Sequence, residues 1–127
     1  MKMLIVDDSL VIRRKIEREI HLPGIVDIIT ATDGLDAIEK FKKHLPDLVT
    51  MDLTMPNLEG GDCVKKLMAI KPDTVILVIS ALADKATAIT AIKNGAHGFL
   101  CKPFTEEALN SALNKLIDTT RTIAKRA

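Results

Sequence analysis

The chain has no tryptophan and no tyrosine, and phenylalanine occurs only three times in 127 residues. A flavin-binding protein would want aromatic rings for its cofactor and a phosphate-binding loop after the first strand, where this chain has Asp7-Asp8. Cysteine is almost absent. Cys63 and Cys101 form no C-x-x-C pair, and His21, His44 and His97 lie in scattered contexts. This argues against a zinc site and leaves two reduced cysteines used as small apolar residues. A marked excess of either charge is missing too. Eighteen basic against seventeen acidic residues give a net charge of +1, without the basic surplus of a general nucleic-acid binder. No apolar run is long enough to span a bilayer. The start, Met1-Lys2-Met3-Leu4-Ile5-Val6-Asp7-Asp8, meets two acids too early for a signal peptide. One domain, large enough to bury a core without disulfides or a structural metal, is therefore expected, in the cytoplasm.

What the chain does have is four short apolar runs, each ending on a polar residue. Met3-Leu4-Ile5-Val6 leads into Asp7-Asp8, and Leu48-Val49-Thr50-Met51 into Asp52. Val75 to Ile79 leads into Ser80, and Gly98-Phe99-Leu100-Cys101 into Lys102-Pro103. A further strand is read at Ile25 to Ala31. Stretches of helical period alternate with these runs. Ser9 N-caps a helix with a stripe of Ile12, Ile16 and Ile20, ended by Pro23-Gly24. Thr32 or Asp33 caps a helix carrying Leu35, Ile38 and Phe41, ended by Pro46. Gly60-Gly61 precede a helix with Val64, Leu67 and Met68. A loop and an Ala- and Ile-rich helix follow Ser80 and stop at Gly95. Thr105 caps the last helix, with Glu106 and Glu107 in its first turn and a stripe of Leu109, Ala112, Leu113, Leu116 and Ile117.

The order βαβαβαβαβα favours a parallel sheet with right-handed crossovers, covered on both faces. All four polar strand ends then share one edge, where ligand sites of open α/β sheets form. Like charges about 4 Å apart repel by about 4 kcal/mol at an effective dielectric near 20, and a bound cation relieves this. An oxygen-only donor set without imidazole or thiolate suits a hard ion such as Mg²⁺. A metal and an ammonium beside carboxylates make a natural phosphoryl site, where a hydroxyl can donate and a carboxylate can attack to form an acyl phosphate. Asp52 stands alone at its strand end and is the expected nucleophile, whereas Asp7-Asp8 suit the metal. Each residue alone has a plainer reading: a helix cap for Asp7-Asp8 or Ser80, a turn before Pro56 for Asp52, a surface lysine for Lys102.

Leu4-Ile5-Val6-Asp7-Asp8-Ser9, Asp52-Leu53-Thr54-Met55-Pro56-Asn57-Leu58-Glu59-Gly60, Ser80-Ala81 and Lys102-Pro103-Phe104 together resemble a bacterial response-regulator receiver domain of the CheY-like type. Ala88 to Ala96 resembles the family's fourth helix, and the likeness covers roughly residues 2–118. It implies a flavodoxin-like (βα)5 three-layer sandwich with strand order 2-1-3-4-5. It implies Asp52 as acceptor of a phosphoryl group from a sensor histidine kinase of the chemotaxis type. Asp8, Asp52 and the main-chain carbonyl of Thr54 would hold Mg²⁺, and Asp7 would act mainly through water. Ser80 would hydrogen-bond the phosphoryl group, Lys102 would pair with it, and the Lys102–Pro103 bond would be cis. Phe99 matches the aromatic switch position, although as phenylalanine it offers no hydroxyl for a partner to read.

The implied unit is a receiver over residues 1–118, with 119–127 an extension of the last helix or a tail. It is expected to be a signalling switch, with self-catalysed phosphoryl transfer and slow autodephosphorylation, not an enzyme. Its output is expected to be docking to a protein, such as the flagellar motor switch or a histidine phosphotransfer protein. It is expected to work without direct nucleic-acid or membrane contact, as a monomer or as a dimer when phosphorylated. A phosphorelay intermediate and a receiver cut from a DNA-binding regulator are the alternatives. A haloacid-dehalogenase-type phosphatase would want a second aspartate two residues after the nucleophile, where this chain has Thr54. Gly61 departs from the family's usual apolar residue, Ser80 stands for its commoner threonine, and neither Thr54 nor Leu82 offers a group to orient a hydrolytic water.

Overall fold

The structure, a computed structural model, describes residues 1–53, 60–81 and 85–126, with the backbone alone at 60, 61 and 119–126. Ten elements alternate: β1 (Lys2–Val6), α1 (Leu10–Glu19), β2 (Asp27–Ala31), α2 (Gly34–His44), β3 (Leu48–Met51), α3 (Gly60–Ile70), β4 (Val75–Ser80), α4 (Lys85–Lys93), β5 (Gly98–Cys101) and α5 (Glu106–Arg126). The five strands form one parallel sheet in the order β2-β1-β3-β4-β5, the flavodoxin-like arrangement expected from the resemblance.

Alternation along the strands divides the apolar residues into two layers. Leu4, Val6, Val49, Met51, Ile76 and Val78 face a core completed by Ala37 and Phe41 of α2, Val64 and Leu67 of α3, and Ala91 of α4. Met3, Ile5, Leu48, Leu77 and Ile79 face Ile16 of α1 and Leu109, Leu113 and Ile117 of α5. β1, β3 and β4 are buried nearly throughout because helices cover both sides, which is why they read as continuous apolar runs.

The helix ends follow local chemistry. The Ser9 hydroxyl accepts from Ile12 N at 3.3 Å, Asp33 accepts from Asp36 N at 2.8 Å, and Thr105 accepts from Ala108 N at 3.0 Å. Asp33 rather than Thr32 is therefore the α2 cap. Gly95 closes the turn after α4 at φ +116°, and a Cβ there would lie 2.8 Å from Met68 Cγ. Three local expectations are corrected. α1 stops at Glu19 with Ile20 as an extended C-cap, short of Pro23-Gly24. β2 begins at Asp27, since the backbone bond from Val26 N to Met1 O precedes the ladder. Leu35 is 57% exposed, because α2 rests on Gly34, Ala37 and Phe41 instead.

The amino-terminal edge of the sheet is closed by side chains bonded to backbone. Asp47 accepts from Lys2 N at 3.0 Å and Lys71 Nζ at 3.2 Å. Burial works against its charge, but the Lys2 amide and the Lys71 ammonium outweigh that and hold the carboxyl below its ordinary value. His97 N donates to Ile76 O at 2.8 Å, and Ile76 N donates back to His97 Nδ1 at 3.1 Å. Desolvation lowers the His97 pKa below 6.5, in keeping with a neutral ring that accepts.

Two predictions follow from these packing details. Thr50 is buried between Ile5 and Leu77, and its hydroxyl has no hydrogen-bond partner among the described residues. Thr50→Val keeps the shape and removes the orphan, so urea denaturation should show it more stable by about 1 kcal/mol. For His97 the folded pKa lies below the unfolded one, so the unfolded state binds the proton first as pH falls. Its stabilisation is complete above pH 6.5, the unfolded value, and is lost as pH drops from there to the folded value. His97→Asn, an acceptor that does not titrate, should show a shallower loss of stability as pH falls below 6.5.

Candidate functional site

The carboxyl-terminal edge of the sheet carries the chemistry. Each ladder continues one residue past its strand: Asp7 N donates to Ala31 O at 3.2 Å, Asp52 N to Val6 O at 3.0 Å, and Lys102 N to Ser80 O at 2.9 Å. These bonds fix the backbones of Asp7, Asp52 and Lys102 while the chain turns away into its loops. Asp7 is 1% exposed and Asp52 4%, whereas Asp8 faces solvent. One carboxylate oxygen from each of Asp7, Asp8 and Asp52 lies within 4.8 Å of the others.

Lys102 bridges two of the three. Its Nζ is 2.8 Å from Asp7 Oδ2 and 3.6 Å from Asp52 Oδ1, on a side chain only 18% exposed. The other Asp7 oxygen, Oδ1, accepts from Ser9 N at 2.9 Å. The Lys102–Pro103 peptide bond is cis, as the resemblance implies. Three carboxylates against one ammonium leave a net negative pocket built only of oxygen donors, which suits a hard divalent cation such as Mg²⁺. Relief of like-charge repulsion is the physical reason a cation would bind there.

Ser80 is fully buried at the end of β4 and pairs in register with Cys101, next to Lys102. Phe99 pairs with Val78, is partly buried against the α2–α3–α4 core, and lines a groove of about 470 Å³ with Gly98, Ala108, Ala112 and Leu116. Thr54, Pro56 and Leu82 lie outside the described residues. The structure thus brings Asp7, Asp8, Asp52 and Lys102 into one pocket and sets Ser80 and Phe99 on the adjoining β4–β5 ladder. Cys63 is not part of it. Burial pushes its thiol up to about 12, and Sγ sits 3.6 Å from Gly34 O between α2 and α3.

Two α1 side chains that sequence reasoning passed over reach the same end of the molecule. Arg13 Nη1 donates to the Asp7 main-chain carbonyl at 2.7 Å. The Lys15 ammonium lies 4.8 Å from the centroid of Phe104, next to the cis proline. The only sequence signal for either was a cation in the first two turns of a helix that follows paired aspartates.

The response regulator receiver domain family matches residues 3–114. The chemotaxis protein CheY of Thermotoga maritima is 43% identical over 115 residues, covering 91% of this chain and 96% of that protein. A probable transcriptional regulator, ycf27 of Porphyridium aerugineum, is 34% identical over 116 residues, but the match spans 91% of this chain and only 48% of the regulator. Among solved structures, a CheX-CheY-BeF3-Mg complex from Borrelia burgdorferi aligns with a TM-score of 0.85 and 30% identity, over 92% of this chain and 89% of that one. The chain belongs to the response regulator receiver family. No helix among the described residues is long and apolar enough to cross a membrane.

The Lys102 bridge yields a direct test. Lys102→Met leaves the buried Asp7 carboxylate without its ammonium partner. In buffer with EDTA the variant should lose about 3 kcal/mol of stability by urea denaturation, since removing one member of a buried pair strands the other charge.

Proposed function

We propose that this receiver is a phosphorylation switch in which Asp52 accepts a phosphoryl group, and that it serves chemotaxis by docking to other proteins. The observation that carries the reading is Lys102 held between Asp7 and Asp52 beside the exposed Asp8. An Asp52 oxygen attacks the phosphorus of a phosphohistidine on a sensor kinase. The new O–P bond forms, the P–N bond breaks, and the imidazole leaves with a proton from solvent. The product is an acyl phosphate. Asp7, Asp8, Asp52 and the Thr54 carbonyl would hold Mg²⁺, which when bound neutralises charge on the phosphoryl oxygens. Lys102 would move its ammonium from the carboxylates to a phosphoryl oxygen, and the Ser80 hydroxyl would donate to another. The presence of beryllium fluoride and magnesium in the Borrelia complex supports this assignment.

The output is a shift between two populations, limited by the contacts that differ between them. Ser80 drawn towards the phosphoryl group would make room for Phe99 to turn inward, remodelling the face of α4, β5 and α5. The resemblance to chemotaxis proteins over nearly their whole length supports a flagellar motor switch as target and a chemotaxis histidine kinase as donor. The CheX-CheY pairing in the Borrelia complex supports an output through docking to another protein. We assign the receiver to residues 1–118, with 119–127 as an extension of its last helix or a tail, and place it in the cytoplasm as a monomer that turns over no other substrate. The ycf27 match favours a second reading, a receiver that works within a longer transcriptional regulator.

Incubation with Mg²⁺ and acetyl phosphate should add one phosphoryl group to wild type by intact mass and none to Asp52→Asn. A wild type that gains nothing, or an Asp52→Asn that gains one as readily, would sink the mechanism. The phosphorylated form should then capture a motor-switch peptide that the unmodified form does not. Equal capture of both would remove the chemotaxis reading while leaving the receiver chemistry intact.

A further inference from the structure

We infer that Arg13 is a positioning residue for the divalent cation at the acidic cluster, an inference that rests on the metal reading proposed above. The three carboxylates are held in very different ways. Asp7 is buried, with one oxygen on Lys102 and the other on Ser9 N. Asp52 is buried beside Lys102 and its amide is bonded to Val6 O. Asp8 is exposed, and its carboxylate has no hydrogen bond or ion pair with any described residue. Among the described residues, what holds Asp8 therefore acts through its main chain.

The main chain of Asp8 begins at the Asp7–Asp8 peptide. The carbonyl of that peptide receives Arg13 Nη1 at 2.7 Å, the short, charge-assisted end of the N–H···O range. Arg13 is delivered from the first turn of α1, which its own amide closes by bonding to Ser9 O. Ser9 in turn caps α1 with its hydroxyl and bonds Asp7 Oδ1 with its amide. The turn from Asp7 to Ser9 is thus gripped on both sides. Ser9 holds the Asp7 side chain and Arg13 holds the carbonyl of the peptide that leads into Asp8. Removing the guanidinium frees that peptide to rotate, and the Asp8 carboxylate swings with it.

Arg13 makes no ion pair with the carboxylates among the described residues; that task falls to Lys102. This separates two roles by sign. As a bare charge near a cation site, Arg13 would repel the metal, and its removal would tighten binding. As a positioning group, its removal loosens a ligand and weakens binding. Losing an outer partner of a metal ligand typically costs about tenfold or more in affinity.

Calorimetric titration of the full chain with MgCl2, without any phosphodonor, decides between them. Arg13→Ala should bind Mg²⁺ about tenfold more weakly than wild type. Arg13→Lys keeps the charge and one donor and should fall between the two. With EDTA, far-UV circular dichroism should be unchanged, while the Ser9 amide of Arg13→Ala exchanges its hydrogen faster. Mg²⁺ binding by Arg13→Ala as tight as wild type, or tighter, overturns the inference, and tighter binding leaves Arg13 as a charge alone. Should Arg13→Ala not fold, Arg13→Lys decides: weaker binding supports positioning and equal or tighter binding overturns it. A wild type that binds no Mg²⁺ overturns the metal reading and this inference together.

Discussion

Mutual repulsion among Asp7, Asp8 and Asp52 is the constraint on which the rest of the arrangement depends. Three carboxylates within 4.8 Å of one another, two of them buried, are unfavourable unless something positive is brought to them. The chain supplies Lys102, which lies 95 residues from Asp7 in sequence. That pairing exists only when β1, β3, β4 and β5 are already in register. The pocket is therefore a property of the closed sheet and not of any one segment. Because one ammonium cannot balance three carboxylates, the site keeps a residual negative charge, which is what makes a further cation, and then an anion beside it, favourable.

The two edges of the sheet are treated in opposite ways. At the amino-terminal edge Asp47, Lys71, Lys2 and His97 satisfy one another and the backbone, so little polarity is left over. At the carboxyl-terminal edge the backbone is satisfied by strand-to-strand bonds, and the side chains are left with surplus charge. Stability is concentrated at one end and chemistry at the other. Thr50 lies between them on β3, two residues before Asp52, and is the one buried side-chain hydroxyl without a partner among the described residues.

How far the sequence discloses this can be judged residue by residue. The strand runs and the caps at Ser9 and Thr105 were legible, because period-two burial and side-chain capping are local signals. The acidic cluster was legible for a different reason. A parallel sheet has only one edge for strand-end residues to share, so finding the strands was enough to group Asp7, Asp52, Ser80 and Lys102. Leu35 was misread because helical period does not say which face meets the sheet. The small residues Gly34 and Ala37 let α2 approach closely, and the leucine turned outward. Ile20 was read as helical because spacing alone does not show where a helix unwinds. Arg13 and Lys15 were passed over because reaching the Asp7 carbonyl or the Phe104 ring depends on how α1 lies over the strand ends.

The β4–β5 ladder explains why a switch of the proposed kind would be read at a distance. Ser80 pairs with Cys101, Lys102 N is bonded to Ser80 O at 2.9 Å, and two positions back Phe99 pairs with Val78. The hydroxyl and the ammonium that would meet a phosphoryl group therefore belong to the same two-strand unit as the ring that would report it. A backbone shift in either strand would load the bonds between them, because the core beneath is close-packed and does not deform gradually. β5 is the outermost strand on this side, with α4 and α5 against it and a groove open beside Phe99. A central strand in the same position would pass the strain to two neighbours. An edge strand passes it to one and exposes the consequence to a partner, so the proposed chemistry at Asp52 and the proposed reporting surface at Phe99 would be linked through the β4–β5 pair.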